Sequence, residues 1–471
     1  MILALLAMLF LAHPSADRGE PLILEGADHF TVTGRGATVD LVGNVRFHRG
    51  DVRLRADRAL WDRAQDVVTF SGNFKVESPS GTIHSDMGRY ERTTGSAWAM
   101  GAARLVDSSG KVTLTAAQVR YSRPERLVEA VGDPVFRQQD AKDTLEVRAL
   151  RLLWQERERV AQAFDNVRLR KGGMTATASK ARLEEQSRRL FLSGSPTALM
   201  GERRLRGGEM LLLVDLKTRK IREISVYRKA EGEFQGDPDA KGQVQNGRLY
   251  GDTLHALVKD DALEDVLVWK GARSLSWNGA DTGRRNELEG DSLHFAFEAG
   301  KGKGLRQVRA YHHTTGRFRG ESDSAGVFQC GTLSGDTLVA DLENGAMKTI
   351  SVWPKAKGSS WKTSDTARRD ELEGDSVAFT FDGRKIASAR ARGTTKEAAK
   401  SIYHHVENGR LKGRNESRGE LIRMAFKDGK IRRVRVDGAS RGVYYGEPKP
   451  GAAKDTTQLG KALPPPAPSR K

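Results

Sequence analysis

Small or acidic residues that open an apolar-alternating run recur along almost the whole chain, and this repetition restricts the fold more than any other feature. In the first half such anchors stand at Asp28, Asp57, Asp86, Ala117, about Ala149 and Ser179, a spacing of about 30 residues. Fifteen residues after five of the six comes a glycine: Gly43, Gly72, Gly101, Gly132 and Gly194. The fifth unit has Asp165-Asn166 in that place. In the second half the anchors are Asp252, Asp291, Asp336, Asp375 and Glu420, at steps of 39, 45, 39 and 45. Local sequence returns with them. RRNELEGDS (284–292) recurs as RRDELEGDS (368–376), and Tyr311-His312-His313 recurs as Tyr403-His404-His405. Gly207-Gly208-Glu209 reads as one further unit joining the halves.

Each unit reads as strand, turn, strand. After an anchor, apolar residues occupy every second position, as in Leu293, Phe295, Phe297 and in Ile422, Met424, Phe426. Period two places one set on one sheet face and the other set on the opposite face. Charged or Gly-containing turns such as 62–66, Asp382-Gly383 and Asp428-Gly429 close the hairpins. A pair of short strands cannot bury its own apolar face, whereas stacked copies cover one another. The segment Arg148 to Arg159 comes nearest to a helical period, but its neighbours fit the β repeat better.

Lys and Arg number 79 and Asp and Glu 61, a net charge of +18. Such a balance suits a phosphate-bearing partner. Nucleic acid is not expected, because there is no recognition helix, no zinc-ligand spacing and no aromatic series interleaved with Arg. The basic residues fall at outward positions of the period. One cysteine, Cys330, leaves no intrachain disulfide for the fold to depend on. Residues 2–12 are apolar and uncharged, and Pro14-Ser15-Ala16 follows like a small-residue cleavage site, so 1–16 reads as an export leader. Residues 447–471 carry no repeat and read as a disordered, Pro-rich tail.

The stretch VDLVGNVRFHRGDVRLRADRALWDRAQDVVTFSGNFKV (39–76) resembles the OstA/LptA-type repeat of lipopolysaccharide transport. The shared elements are Gly43-Asn44-Val45, Ala56-Asp57 and Gly72-Asn73. SIYHHVENGRLKGRNESRGELIRMAFKDGKIRRVRVDG (401–438) is similar to the variant in OstA-like proteins, and the resemblance spans about 28–442. It implies an all-β fold: an elongated repeat of antiparallel strands forming an open β-jellyroll, or β-taco, of two facing sheets. One set of repeats would cover 17–232 and a second 245–446, with a joint in the polar stretch 230–245. The resemblance further implies a periplasmic bridge protein. It would conduct lipopolysaccharide, a lipid A-type glycolipid, toward the outer membrane. Its partners would be β-jellyroll components at both membranes and further copies of itself, head to tail.

On that reading the groove is lined in the first half by Phe30, Val32, Trp61, Tyr90, Tyr121, Leu152, Trp154 and Leu183. In the second half it is lined by Leu254, Leu293, Phe295, Phe297, Leu338, Phe379, Phe381, Met424 and Phe426. Small residues mixed into the stripe (Ala59, Gly88, Ala256, Ala340) suit an interior with free space. A densely filled core, as in a structural β-solenoid or surface adhesin, is the competing reading. A polysaccharide-acting enzyme on a parallel β-helix would need one non-repeating cluster of acids or bases. The anchor acids recur with the period and so read as structural, and no catalytic residue, cofactor or metal is expected. Adjacent histidines on a strand point to opposite faces, which disfavours chelation by 312–313 or 404–405.

Overall fold

The computed structural model describes residues 21–446, except 141–142, 215–219, 239–243, 260–261, 280–284, 299–303, 323–326, 344–345, 384, 408–409 and 428–429. The expected leader 1–16 and tail 447–471 lie outside them, as does the Asp428-Gly429 turn. Thirty-four strands and one short 3₁₀ turn, but no α-helix, occur among the described residues. The strands pair antiparallel, and the chain divides into two compact units. One comprises Met1–Gly316 with Thr337–Lys348, and the other Arg317–Asp336 with Thr349–Lys471.

In the first unit most strands serve two sheets. In Thr38–Arg49, residues up to Val42 pair with His29–Thr33, and residues beyond Val45 pair with Ile23–Gly26. Between them Gly43 and Asn44 both take a left-handed backbone, and the register slips by a bulge. The same device returns at Gly72-Asn73, Gly101-Ala102, Gly132-Asp133, Asp165-Asn166 and Gly194-Ser195. A bulge increases twist and bends its strand, so each of these is a corner where the chain leaves the first sheet for the second. Turns at 63–66, 92–95 and 123–126 close the rim of the first sheet. Turns at 50–51, 79–80 and 108–111 close the rim of the second.

The fifteen-residue spacing of anchor and glycine has its cause at these corners. Asp28 N–H donates to the Gly43 carbonyl at 2.8 Å, which brings the anchor under the corner. At Gly72, φ is +73° and an added Cβ would stand 2.4 Å from Asp57 Oδ2, so an L side chain meets both strain and collision. The asparagine that follows donates to the anchor carboxylate, Asn73 to Asp57 at 2.8 Å and Asn44 to Asp28 at 2.9 Å. Asp165-Asn166, which replaces glycine in the fifth unit, also holds positive φ, as short Asx side chains tolerate.

Two sequence expectations change here. The stretch 230–245 is not a break: Ile221–Pro238 and Val244–Lys259 pair along it, from Ala230↔Gly251 to Pro238↔Val244. The strands have lengthened at this point. The two Tyr-His-His triplets do not occupy equivalent sites either. His312 and His313 form a left-handed corner, one of a series with Arg228 and Lys270 at intervals of 42 residues. His404 and His405 lie in the extended strand Ala399–Glu407.

In the second unit Ala356–Lys362, Asp365–Gly374, Ala399–Glu407, Arg410–Gly419 and Arg441–Gly446 pair in succession. Ser376–Asp382, Lys385–Arg392, Leu421–Lys427 and Lys430–Asp437 pair in another succession.

Candidate functional site

Register sorts the inward residues of the first sheet into two rows that cross the strands at right angles. The row nearer the rim runs Val32, Val39, Trp61, Val68, Tyr90, Ala97, Tyr121, Val128, Trp154, Ala161, Leu183, Leu190, Leu212, Ile224, Ala256, Val266, Phe295. The row nearer the corners begins Phe30, Leu41, Ala59, Phe70 and continues through Leu152 to Leu254, Val268 and Leu293. Every member of the rim row is apolar or aromatic, and from Trp61 to Leu183 larger residues alternate with smaller ones. Eleven of the expected lining residues therefore fall in two adjacent rows of one face.

Not all are enclosed. Phe30 is 69% exposed and Val32 49%, although both face inward. They sit on His29–Thr33, which pairs only with Thr38–Arg49 among the described residues. Trp61, Leu183 and Phe297 are half-buried, whereas Leu338 is buried. In the second unit Ile350, Phe379, Ala389, Met424 and Val434 form a comparable row. Phe379, Phe381 and Phe426 are half-buried there, and Met424 is buried.

Around Phe70 and Gly88 the corner-side row is filled. Phe70 stands edge-on to Phe47, with centroids 5.6 Å apart, and stacks on Phe74 at 5.0 Å. Phe47 and Phe74 belong to the second-sheet segments of their strands, so these rings span the interior. Gly88 does not leave a void, because a Cβ there would meet the Phe74 ring at 2.4 Å. The free space expected from the small residues is thus occupied, at this level, by a ring from across the sandwich. Gly358 faces Phe379 in the second unit in the same manner, at 3.4 Å.

The rim level is different in chemistry. Arg49, the last residue of its strand on the second sheet, donates through Nη1 to the hydroxyl of Tyr90 on the first. This bond crosses the mouth between the two rims. The guanidinium Nε of Arg49 and the indole N–H groups of Trp61 and Trp154 are buried without an acceptor, and Trp154 is only 2% exposed. Unsatisfied buried donors of this kind cost about 1–3 kcal/mol each. Burial, with the Glu156 carboxylate nearby, pushes the Tyr121 hydroxyl above its usual pKa. Sequence reasoning missed the Arg49 contact, because the partner lies 41 residues on.

In the second unit Asp370 is a carboxylate the apolar pattern did not anticipate. It accepts from the His404 N–H at 2.9 Å and lies 3.1 Å from His404 Nδ1. Burial raises its pKa, against the lowering by those bonds. His313 lies 3.7 Å from Asp291. Each histidine pair thus divides between separate surroundings.

Comparison with known proteins bears on this geometry. Residues 26–220 match the family model described as LptA/(LptD N-terminal domain) LPS transport protein. Among solved structures, the chain is similar to LptH, the LptA-homologous periplasmic component of the lipopolysaccharide transport device of Pseudomonas aeruginosa. The identity is 18%, the match covers 28% of this chain and 75% of that one, and the TM-score is 0.16. No curated protein matches. The matched segment holds the six glycine or Asx corners from Gly43 to Gly194 and the aromatic part of the rim row, and it is this segment, 26–220, that is similar to the LptA/LptD N-terminal family of lipopolysaccharide transport proteins.

Proposed function

We propose that the protein carries lipopolysaccharide or a related glycolipid through the periplasm, its acyl chains lying between the rims of the two sheets. The observation that carries this reading is the rim row, apolar without interruption from Val32 to Phe295. A twelve-carbon chain exposed to water costs roughly 10 kcal/mol at ~0.8 kcal/mol per methylene. A row with no polar step removes that cost at every stage of travel. Where it is filled, the corner-side row confines the path to the rim, and the sheets must part there to admit a chain. The orphan indole N–H groups of Trp61 and Trp154 offer donors to the ester and amide carbonyls of such a lipid.

The sheet edges suit assembly. Among the described residues, Ile23–Gly26 and His29–Thr33 each pair on one side only, with Thr38–Arg49, and Arg441–Gly446 pairs only with Arg410–Gly419. Unpaired edges accept further strands, from another copy head to tail or from jellyroll components at either membrane.

A photoactivatable residue at Tyr121 or Phe379 tests the reading. Crosslinks to lipopolysaccharide are expected from both, and none from the outward neighbour Arg120. If Tyr121 and Phe379 capture no more lipid than Arg120, the interior is not the path. The packing of Phe47, Phe70 and Phe74 favours a second reading, a closed β scaffold, and that result would select it.

A further inference from the structure

The outward face of the second sheet carries a row of bases that the described residues neutralise only in part, through Glu77. Register sets Arg46 opposite Arg55, Arg55 opposite Lys75, Lys75 opposite His84, and His84 opposite Arg104. Five successive strands therefore present a basic side chain at one level, over about 19 Å at ~4.8 Å per strand. Arg53 adds another two positions along its strand on the same face. Like charges directly opposite one another destabilise a sheet, so folding alone does not account for this row.

Glu77 is the carboxylate at hand, in contact with Lys75 and 3.8 Å from Arg55. Arg46 and Arg104 make no salt bridge among the described residues, and Arg53, directly opposite Glu77, helps to lower its pKa without contact as an ion pair. The local potential registers on His84, whose pKa is lowered by burial first and then by Lys75 and Arg104. The outward face of the first sheet is built otherwise. Arg58 makes two hydrogen bonds to Asp40, at 2.9 and 2.6 Å, and Arg89 pairs with Glu91 at 2.9 Å. Arg89 and Arg120 also lie over the Trp98 ring.

The composition of the basic face limits what it can hold. It is two outward positions deep, and those positions carry no Phe, Tyr or Trp over these five strands. A single-stranded polymer of bases or sugars would call for stacking rings or a groove. A plane of phosphates asks only for cations at one height.

We propose that this face docks the protein onto an anionic phospholipid surface, its guanidinium and ammonium groups on the lipid phosphates. This does not rest on the glycolipid reading, which concerns the opposite side of the same strands.

The test is cosedimentation of the full chain with phosphatidylcholine vesicles, with and without 30 mol% phosphatidylglycerol, across a salt series. Binding is expected only with phosphatidylglycerol and should fall as salt rises. Each base contributes about fivefold to partitioning, so R46Q/R55Q/R104Q should bind roughly a hundredfold more weakly. The control R58Q/R89Q/R182Q removes the same net charge from the other sheet and should lose little by comparison. Should the first triple variant fail to fold, Arg46→Gln alone, with an expected loss of about fivefold, decides. Equal binding to both vesicles, or equal losses in both triple variants, overturns the proposal. So does a loss of binding to soluble alginate while vesicle binding persists, which would assign the face to an acidic polymer.

Discussion

Gly88→Ala measures whether the space between the sheets is full. Gly88 has no left-handed φ, so the backbone gains from alanine, by about 0.4–1 kcal/mol through the unfolded chain. The new methyl would stand 2.4 Å from two ring carbons of Phe74. That ring cannot retreat easily, since it stacks on Phe70, which is fully buried and held edge-on by Phe47. Forcing a methyl into such packing costs about 1–3 kcal/mol. The steric cost wins, leaving a net loss of about 1–2 kcal/mol and a melting temperature lower by about 2–4 °C. Hydrogen exchange should quicken in Val67–Ser78 and Gly81–Glu91. Phe74→Leu alone leaves a small cavity, and combining it with Gly88→Ala should recover at least about 1 kcal/mol relative to additivity. A neutral or stabilising Gly88→Ala that adds simply to Phe74→Leu would refute the packing argument. It would mean that an open trough reaches the corners.

Two further perturbations address the rim. Tyr90→Phe removes the bond across the mouth and leaves the Arg49 guanidinium with one partner fewer, at a cost of about 1–3 kcal/mol. Amide exchange at turn 50–51 should accelerate, and Arg49→Met added to Tyr90→Phe should cost less than Tyr90→Phe alone. Asp107, 8% exposed, is opposed by burial but held below the usual carboxylate pKa by bonds from Ser109, Val112 and Lys111. A depressed folded pKa stabilises above the unfolded value and is lost as pH falls through the folded one. The wild type should therefore exceed Asp107→Asn in stability at neutral pH, and the gap should close below about pH 4, as followed by urea titrations at several pH values.

The parts of the fold that depend on local chemistry were legible in the sequence. A corner needs positive φ, and where an acidic anchor packs beneath it there is no room for a Cβ, so Gly43, Gly72 and Gly101 mark it, and the anchors fifteen residues earlier follow from the stacking of one strand on the next. Period two placed Trp61, Tyr90, Tyr121 and Trp154 on one face. What depends on distance across the sandwich was not legible. Alternation says that Phe30 points inward, not that the described residues leave it 69% exposed. It says that Gly88 is small, not that Phe74 fills the vacancy. The recurring Tyr-His-His triplet misled, because the corner series in that part of the chain follows backbone conformation, every 42 residues, rather than identity. The basic row required register, since five strands must align before Arg46 and Arg104 are seen at one level.

The corners also govern how such a chain can change in length. A residue inserted beside Gly72 would move every later side chain of that strand to the wrong face, because the alternation beyond the bend is fixed by the bulge. Insertions in the turns far from the bends merely heighten the walls. Thr38–Arg49 has 12 residues where Ile221–Pro238 has 18, while both still bend once, at Gly43-Asn44 and at Arg228-Lys229. Growth sideways proceeds by copying a whole repeat, and growth upward by lengthening hairpin tips, so the depth of the cleft and the number of its strands can evolve independently.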